Sequence, residues 1–268
     1  MQTNLPKTKE AFEILEARWP EVVFIIGIDI LSLFFNKLLY LVSLNITTFQ
    51  KLVDAAWGFA FIVVTVLLII GFQRTLYLEG INRQSPITLL RAGAHFFWRM
   101  LGFGLIYLPV YFILSGMSFL VIKRFTSIET SFWETSITAS LVRQLCFTIS
   151  EIILIKPLLF IFPLIVVLDC RILKSFKLLK HCKLSNAKEL VALFIISMLL
   201  TFLWAFLPSV ASATSLTQFA FLIAQTVTQS FIGLIIAVMA VRFVASLNLV
   251  YDDIQTGLDS QNLLKPSK

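Results

Sequence analysis

Six stretches of the chain stay apolar for 20 residues or more: 22–44, 53–78, 96–122, 147–168, 190–209 and 219–247. At 1.5 Å of rise per residue, a helix of about 20 residues covers the hydrocarbon of a bilayer. A spanning segment must also satisfy its own backbone donors and acceptors, which a helix does and an open strand does not. A membrane barrel would alternate apolar and polar positions over about 10 residues. The run from Phe61 to Ile70, FIVVTVLLII, does not alternate. The pattern predicts an all-α, polytopic integral membrane bundle of six transmembrane helices over 22–248. A segment 1–21 precedes it and a tail 249–268 follows.

In the first segment Phe12, Leu15 and Trp19 recur at +3 and +4, so they share one helical face. Lys9, Glu10, Glu13 and Glu16 mostly fall elsewhere. An amphipathic helix is expected here, stopped by Pro20. It lies on the inner interface with Trp19 at head-group depth, or packs on the inner ends of the bundle. Four Glu in the first 21 residues, and the late, long first apolar run, argue against a secretory signal peptide.

The connections between spans also carry pattern. Ser85-Pro86 reads as a helix start, with Ser as N-cap and Pro at the first helical position. Further on, Arg171, Lys174, Lys177 and Lys180 sweep one side of a helix, with Ile172, Leu173, Phe176, Leu179 and Cys182 on the other. Glu79, Ser85 and Leu89-Leu90-Arg91 have a parallel in Asp169, Ser175 and Leu178-Leu179-Lys180. That is either a duplication of span, short helix and span, or a chance likeness of two basic connections.

Composition fits the same class. Hydrophobic residues make up 58% and charged residues 14%, against about 45–50% and about 25% in soluble domains. A soluble enzyme, a disordered chain and a nucleic-acid-binding domain are poor readings. The net charge of +7 is placed by topology. Sixteen Lys and Arg fall in the N-terminal segment, the second and fourth connections and the C-terminal end, and four in the first, third and fifth connections. Basic residues stay inside, so both termini are expected in the cytoplasm and the number of spans is expected to be even. Three Cys without paired spacing give no disulfide framework.

An ionisable group at mid-bilayer costs about 2.5–3.5 kcal/mol on insertion scales, so it turns to protein or water. Asp29 and Lys37 in the first span and Glu151 and Lys156 in the fourth are the candidates. Counted from the inner face, they lie at about 10, 22, 25 and 18 Å respectively. Lys37 and Glu151 are nearly level and are expected to pair. The alternative is that Lys37 snorkels outward and Glu151 sits at the head-group boundary. A proton or ion relay through Asp29, Asn36 and Glu151 is a third reading. Pro157 and Pro163 free the carbonyls of Ile153 and Leu159 and predict kinks. Gln218, Gln225 and Gln229 share one face of the sixth span, where they line a wet cavity or bond to neighbouring helices.

No zinc, Walker, nucleophile-elbow or dinucleotide motif is present. The sequence therefore points to no catalytic site, no cofactor and no metal. The cations Arg171, Lys174, Lys177 and Lys180 each contribute about 1 kcal/mol beside an anionic leaflet. Anionic lipids of the cytoplasmic face are thus candidate partners, although topology alone also accounts for the charge.

The stretch FPLIVVLD, 162–169, leading into ILKSFKLLK, 172–180, resembles the signature of a broad group of uncharacterised bacterial six-span inner-membrane proteins. That group includes the membrane domain attached to some glycerophosphodiester phosphodiesterases. Tyr251-Asp252-Asp253 is similar to the group's ending, while Lys174 stands where the group has a small residue. The resemblance covers mainly 157–200 and 245–253. It implies a fold and an inner-membrane location and no reaction, and no soluble stretch of the chain approaches the length of a catalytic barrel. The expected role is a non-enzymatic one in envelope or lipid homeostasis, or as the membrane part of a complex with a protein partner. The alternative is a transporter or channel using the polar groups of spans one, four and six.

Overall fold

The structure, a computed structural model, describes residues 7–42, 48–126, 137–210 and 215–247, and side chains only outside 36–54, 126–137, 140 and 204–218. Every regular element among the described residues is helical. In order they are α1 (Thr8–Ala17), α2 (Trp19–Val42), α3 (Thr48–Glu79), α4 (Pro86–Ala94), α5 (Phe97–Thr126), α6 (Ile137–Ile153), α7 (Ile155–Leu168), α8 (Ile172–Leu178), α9 (Lys188–Val210) and α10 (Ser215–Ser246). Two single 3₁₀ turns, Leu179–His181 and Leu184–Asn186, join α8 to α9.

Among the described residues α3, α5 and α10 are each long and apolar enough to cross a membrane. The pair α6–α7 makes a fourth if its two bent halves count as one span. The chain is thus an all-helical protein of membrane type. Helices α2 and α9 cover the first and fifth apolar runs, and both extend beyond the described side chains.

The break between α6 and α7 follows from Pro157. It has no N–H to offer the carbonyl of Ile153, and the axis turns by 58° at Leu154. Pro163, by contrast, sits buried inside α7 without ending it.

The core gathers at one end of the bundle. Helix α7 is its centre, with Leu159, Phe160, Ile161, Leu164 and Ile165 enclosed. Around it pack Val22 and Ile25 of α2, Leu68 and Phe72 of α3, and Leu234, Val238 and Phe243 of α10. Phe96, Met100 and Phe103 close the other flank. Toward the opposite end, Phe59 and Ile62 of α3, Ile113, Leu120 and Phe125 of α5, and Leu199 and Leu203 of α9 point outward. Such faces suit hydrocarbon. There the hydrophobic effect no longer drives helices together, and close packing and hydrogen bonds hold them instead.

Helix α4 shows that close packing. Ser85 caps it, accepting from the Thr88 N–H at 3.2 Å, with Pro86 at the first position as its sequence predicts. It then lies so tightly on α3 that a Cβ at Gly71 would stand 1.8 Å from the Leu89 carbonyl oxygen. A Cβ at Gly93 would stand 2.0 Å from that of Leu67.

Helix α1 docks beneath the packed end by a different face from the one its spacing suggests. Ala11, Ile14, Leu15 and Arg18 are buried, whereas Phe12 and Trp19 are about half exposed. Pro20 does not stop α1. The break falls at Arg18, and Pro20 lies in the first turn of α2, where its missing N–H costs nothing. The proposed duplication also loses its register. Ser85 is the N-cap of α4, whereas Ser175 lies within α8, bonded to the Ile172 carbonyl, and Arg171 holds the capping place.

Candidate functional site

Three of the intramembrane polar groups, Asp29, Glu151 and Gln229, are bonded between helices. Asp29 of α2 accepts from Thr65 of α3 on Oδ1 at 2.8 Å and from Ser230 of α10 on Oδ2 at 2.6 Å. Gln229, next to Ser230, donates to Thr201 of α9 at 3.1 Å. Gln225, one turn away on the same face, is half-buried. Four helices are thereby tied together at the depth of Asp29. A second set ties α5 to α6. Tyr111 donates to Glu151 at 3.3 Å, and Ser115 and Ser150 share a hydrogen bond at 2.9 Å. The rings of Tyr107, Tyr111 and Phe147 stack along this seam.

The partners Thr65, Ser230, Tyr111 and Thr201 escape a sequence reading. Single hydroxyls inside apolar runs carry no periodic or charge signal. Glu151 has Tyr111 as its partner here, and the Lys37 side chain expected to pair with it lies outside the described residues. Lys156 is half-buried near the start of α7. Its charge acts against the effect of burial on Cys182, whose thiol burial pushes up to about 11.

A charged cluster forms where α7 ends. Asp169 takes a left-handed conformation, φ 48°, which an Asp tolerates better than most residues. Its carboxylate meets two guanidiniums and an imidazole from three places in the chain. Arg99 of α5 pairs closely with Oδ1, His95 just after α4 reaches it at 3.5 Å, and Arg74 of α3 stands at 3.9 Å. Arg74 also donates to the Val166 carbonyl at 2.7 Å, satisfying one of the free C-terminal carbonyls of α7. The enclosed ring of Phe96 lies under both guanidiniums, at 5.6 Å from Arg74 and 5.5 Å from Arg99. Burial pushes the Asp169 carboxyl upward. The hydrogen bond and charge of Arg99, with His95 and Arg74, outweigh that and hold it below its ordinary value.

Arg18 and Glu21 form a second, fully enclosed pair at the α1–α2 junction. Arg18 also donates to Thr75 at 2.8 Å and lies over Phe72, and Glu21 accepts from the Gln84 N–H at 2.6 Å. Arg18, Arg74 and Arg99 enter the sequence reading only as topology charges. Their partners Asp169, Thr75 and Phe72 are 54 to 95 residues away or unremarkable locally, so spacing could not reveal the roles. The four cations Arg171, Lys174, Lys177 and Lys180 are exposed around α8, as their spacing suggests. Leu173 is exposed with them, and the buried position is Ser175.

Among the described residues no group of His, Cys, Asp and Glu is placed to hold a metal ion. Comparison of the chain with known protein families, with curated proteins and with solved structures gives no match.

Proposed function

We propose that the chain is a multi-pass protein of the bacterial inner membrane, crossing six times with both termini in the cytoplasm. It works without catalysis, in envelope or lipid homeostasis or as the membrane part of a complex. The observation that supports a scaffold reading is the use made of the intramembrane polar groups. Asp29, Glu151 and Gln229 each bond to a neighbouring helix. Interhelical hydrogen bonds of this kind contribute about 0.6–2 kcal/mol each.

The test is complementation of a deletion strain, with membrane lipid composition and detergent sensitivity as readouts. Loss of the chain changes one of these, and wild type restores it. Asp29→Asn, which keeps an acceptor for Thr65 or Ser230, restores it equally well. A relay or transporter built on the Asp29 charge loses activity in that variant while remaining folded, and that result would overturn the scaffold reading. A deletion without effect on either readout would remove the homeostatic role.

A further inference from the structure

We propose that Arg74, Arg99 and His95 form a binding site for the phosphate of an anionic phospholipid, one of whose acyl chains runs along the outer face of α5. This goes beyond the scaffold role and needs only that the bundle lie in a bilayer. The first support is charge. Two guanidiniums and an imidazole face one carboxylate, so the cluster keeps a positive surplus after Asp169 is counted. Arg74 is held by the Val166 carbonyl and Arg99 by Asp169, and Phe96 lies beneath both. Two guanidiniums are thus fixed side by side before any ligand arrives, which lowers the ordering cost of binding. The side chains of Arg74 and Arg99 remain 20% and 29% exposed and that of His95 58%. The fork of an arginine matches phosphate geometry.

The second support is what adjoins the cluster. Ile106 and Val110 follow Arg99 at +7 and +11, on its own face of α5, and both are exposed. Trp98 is 76% exposed and stands where an indole sits at the head-group level. A charged cradle with exposed apolar side chains on the same face of the helix suits a lipid. A soluble phosphate would use only the cradle.

The experiment uses the whole chain in detergent micelles and reads the quenching of Trp98 by lipids with brominated acyl chains. The Trp98→Phe variant, altered only at an exposed position, isolates that signal. Brominated phosphatidylglycerol is displaced by unlabelled phosphatidylglycerol, by phosphatidylcholine or by inorganic phosphate. The expected result is a preference for phosphatidylglycerol over phosphatidylcholine of about thirty-fold, from two cations near the surface, falling with added salt. Arg74→Gln with Arg99→Gln removes the preference, and Arg171→Gln with Lys177→Gln keeps it. Equal displacement by the two lipids on the wild-type chain would overturn the proposal, whatever the variants do. So would a preference that survives in the Arg74/Arg99 variant, or displacement by inorganic phosphate as effective as by phosphatidylglycerol.

Discussion

Alanine at Gly71 puts a methyl group where the α3 and α4 backbones touch. Its Cβ would lie 1.8 Å from the Leu89 carbonyl oxygen, and ordinary contact begins at 3.4 Å, so the two helices must part by about 1.6 Å. The obstacle is backbone, and no change of rotamer relieves it. Overpacking of this kind costs about 1–3 kcal/mol. The upper part of that range is expected, because parting α4 from α3 uncovers Leu89, Leu68 and Phe72, all enclosed. Helix propensity alone argues the opposite sign, since Gly→Ala within a helix stabilises by about 0.5–1 kcal/mol. The assay is thermal unfolding in detergent micelles followed by intrinsic fluorescence. Gly104→Ala and Gly116→Ala in α5, where nothing lies within 4 Å, serve as controls. Gly71→Ala lowers Tm by several degrees, at about 2–4 °C per kcal/mol for a chain of this size, and the controls leave it unchanged or raise it. A Gly71→Ala chain as stable as the controls would refute the close docking of α4, and with it the placement of His95 beside Asp169 and of Phe96 beneath Arg74 and Arg99.

Three further outcomes are expected. Removing one partner of the enclosed Arg18–Glu21 pair, as in Arg18→Met, leaves a buried charge uncompensated and costs about 3–5 kcal/mol; the double variant with Glu21→Leu recovers much of it in the same unfolding assay. The Asp169 carboxyl is held below its ordinary 3.8, so its pairing stabilises fully above that pH and is lost as the pH falls through the lower folded value. Asp169→Asn should therefore flatten the acid limb of a stability–pH curve, and an unchanged limb would show that other carboxyls set it. Cys182, enclosed and with its thiol pushed up to about 11, should resist iodoacetamide at pH 7.5 in the folded chain and react after denaturation, as read by peptide mass spectrometry.

The helices and the break before Pro157 were legible because each depends on neighbours in sequence. Ser85 and Pro86 announce the start of α4, and Pro157 announces the break at Leu154 through the carbonyl four residues before it. What sequence could not supply is direction around a helix and contact across the chain. Depth arithmetic puts Glu151 level with Lys37, whose side chain lies outside the described residues, but it gives no sign of the bond that Glu151 accepts from Tyr111. The stripe Phe12, Leu15 and Trp19 and the stripe Ala11, Ile14, Leu15 and Arg18 both fit a 3.6-residue period. The second is buried because Arg18 finds Glu21, Thr75 and Phe72 beneath the bundle. The cluster at Asp169 draws on residues 70 to 95 places earlier, of which Arg74 and Arg99 read alone as topology charges and His95 carries no signal.

The central claim is that the chain threads a membrane six times with its basic connections on one side. Single cysteines at Thr47, Ser85, Ser131, Ser185 and Thr214, placed in a cysteine-free background, report on it directly. They are labelled with a membrane-impermeant maleimide in right-side-out spheroplasts. The account predicts labelling at Thr47, Ser131 and Thr214 in intact spheroplasts and at Ser85 and Ser185 only after permeabilisation. Labelling of Ser85 or Ser185 from outside, or protection of Thr47 until the membrane is opened, would contradict it.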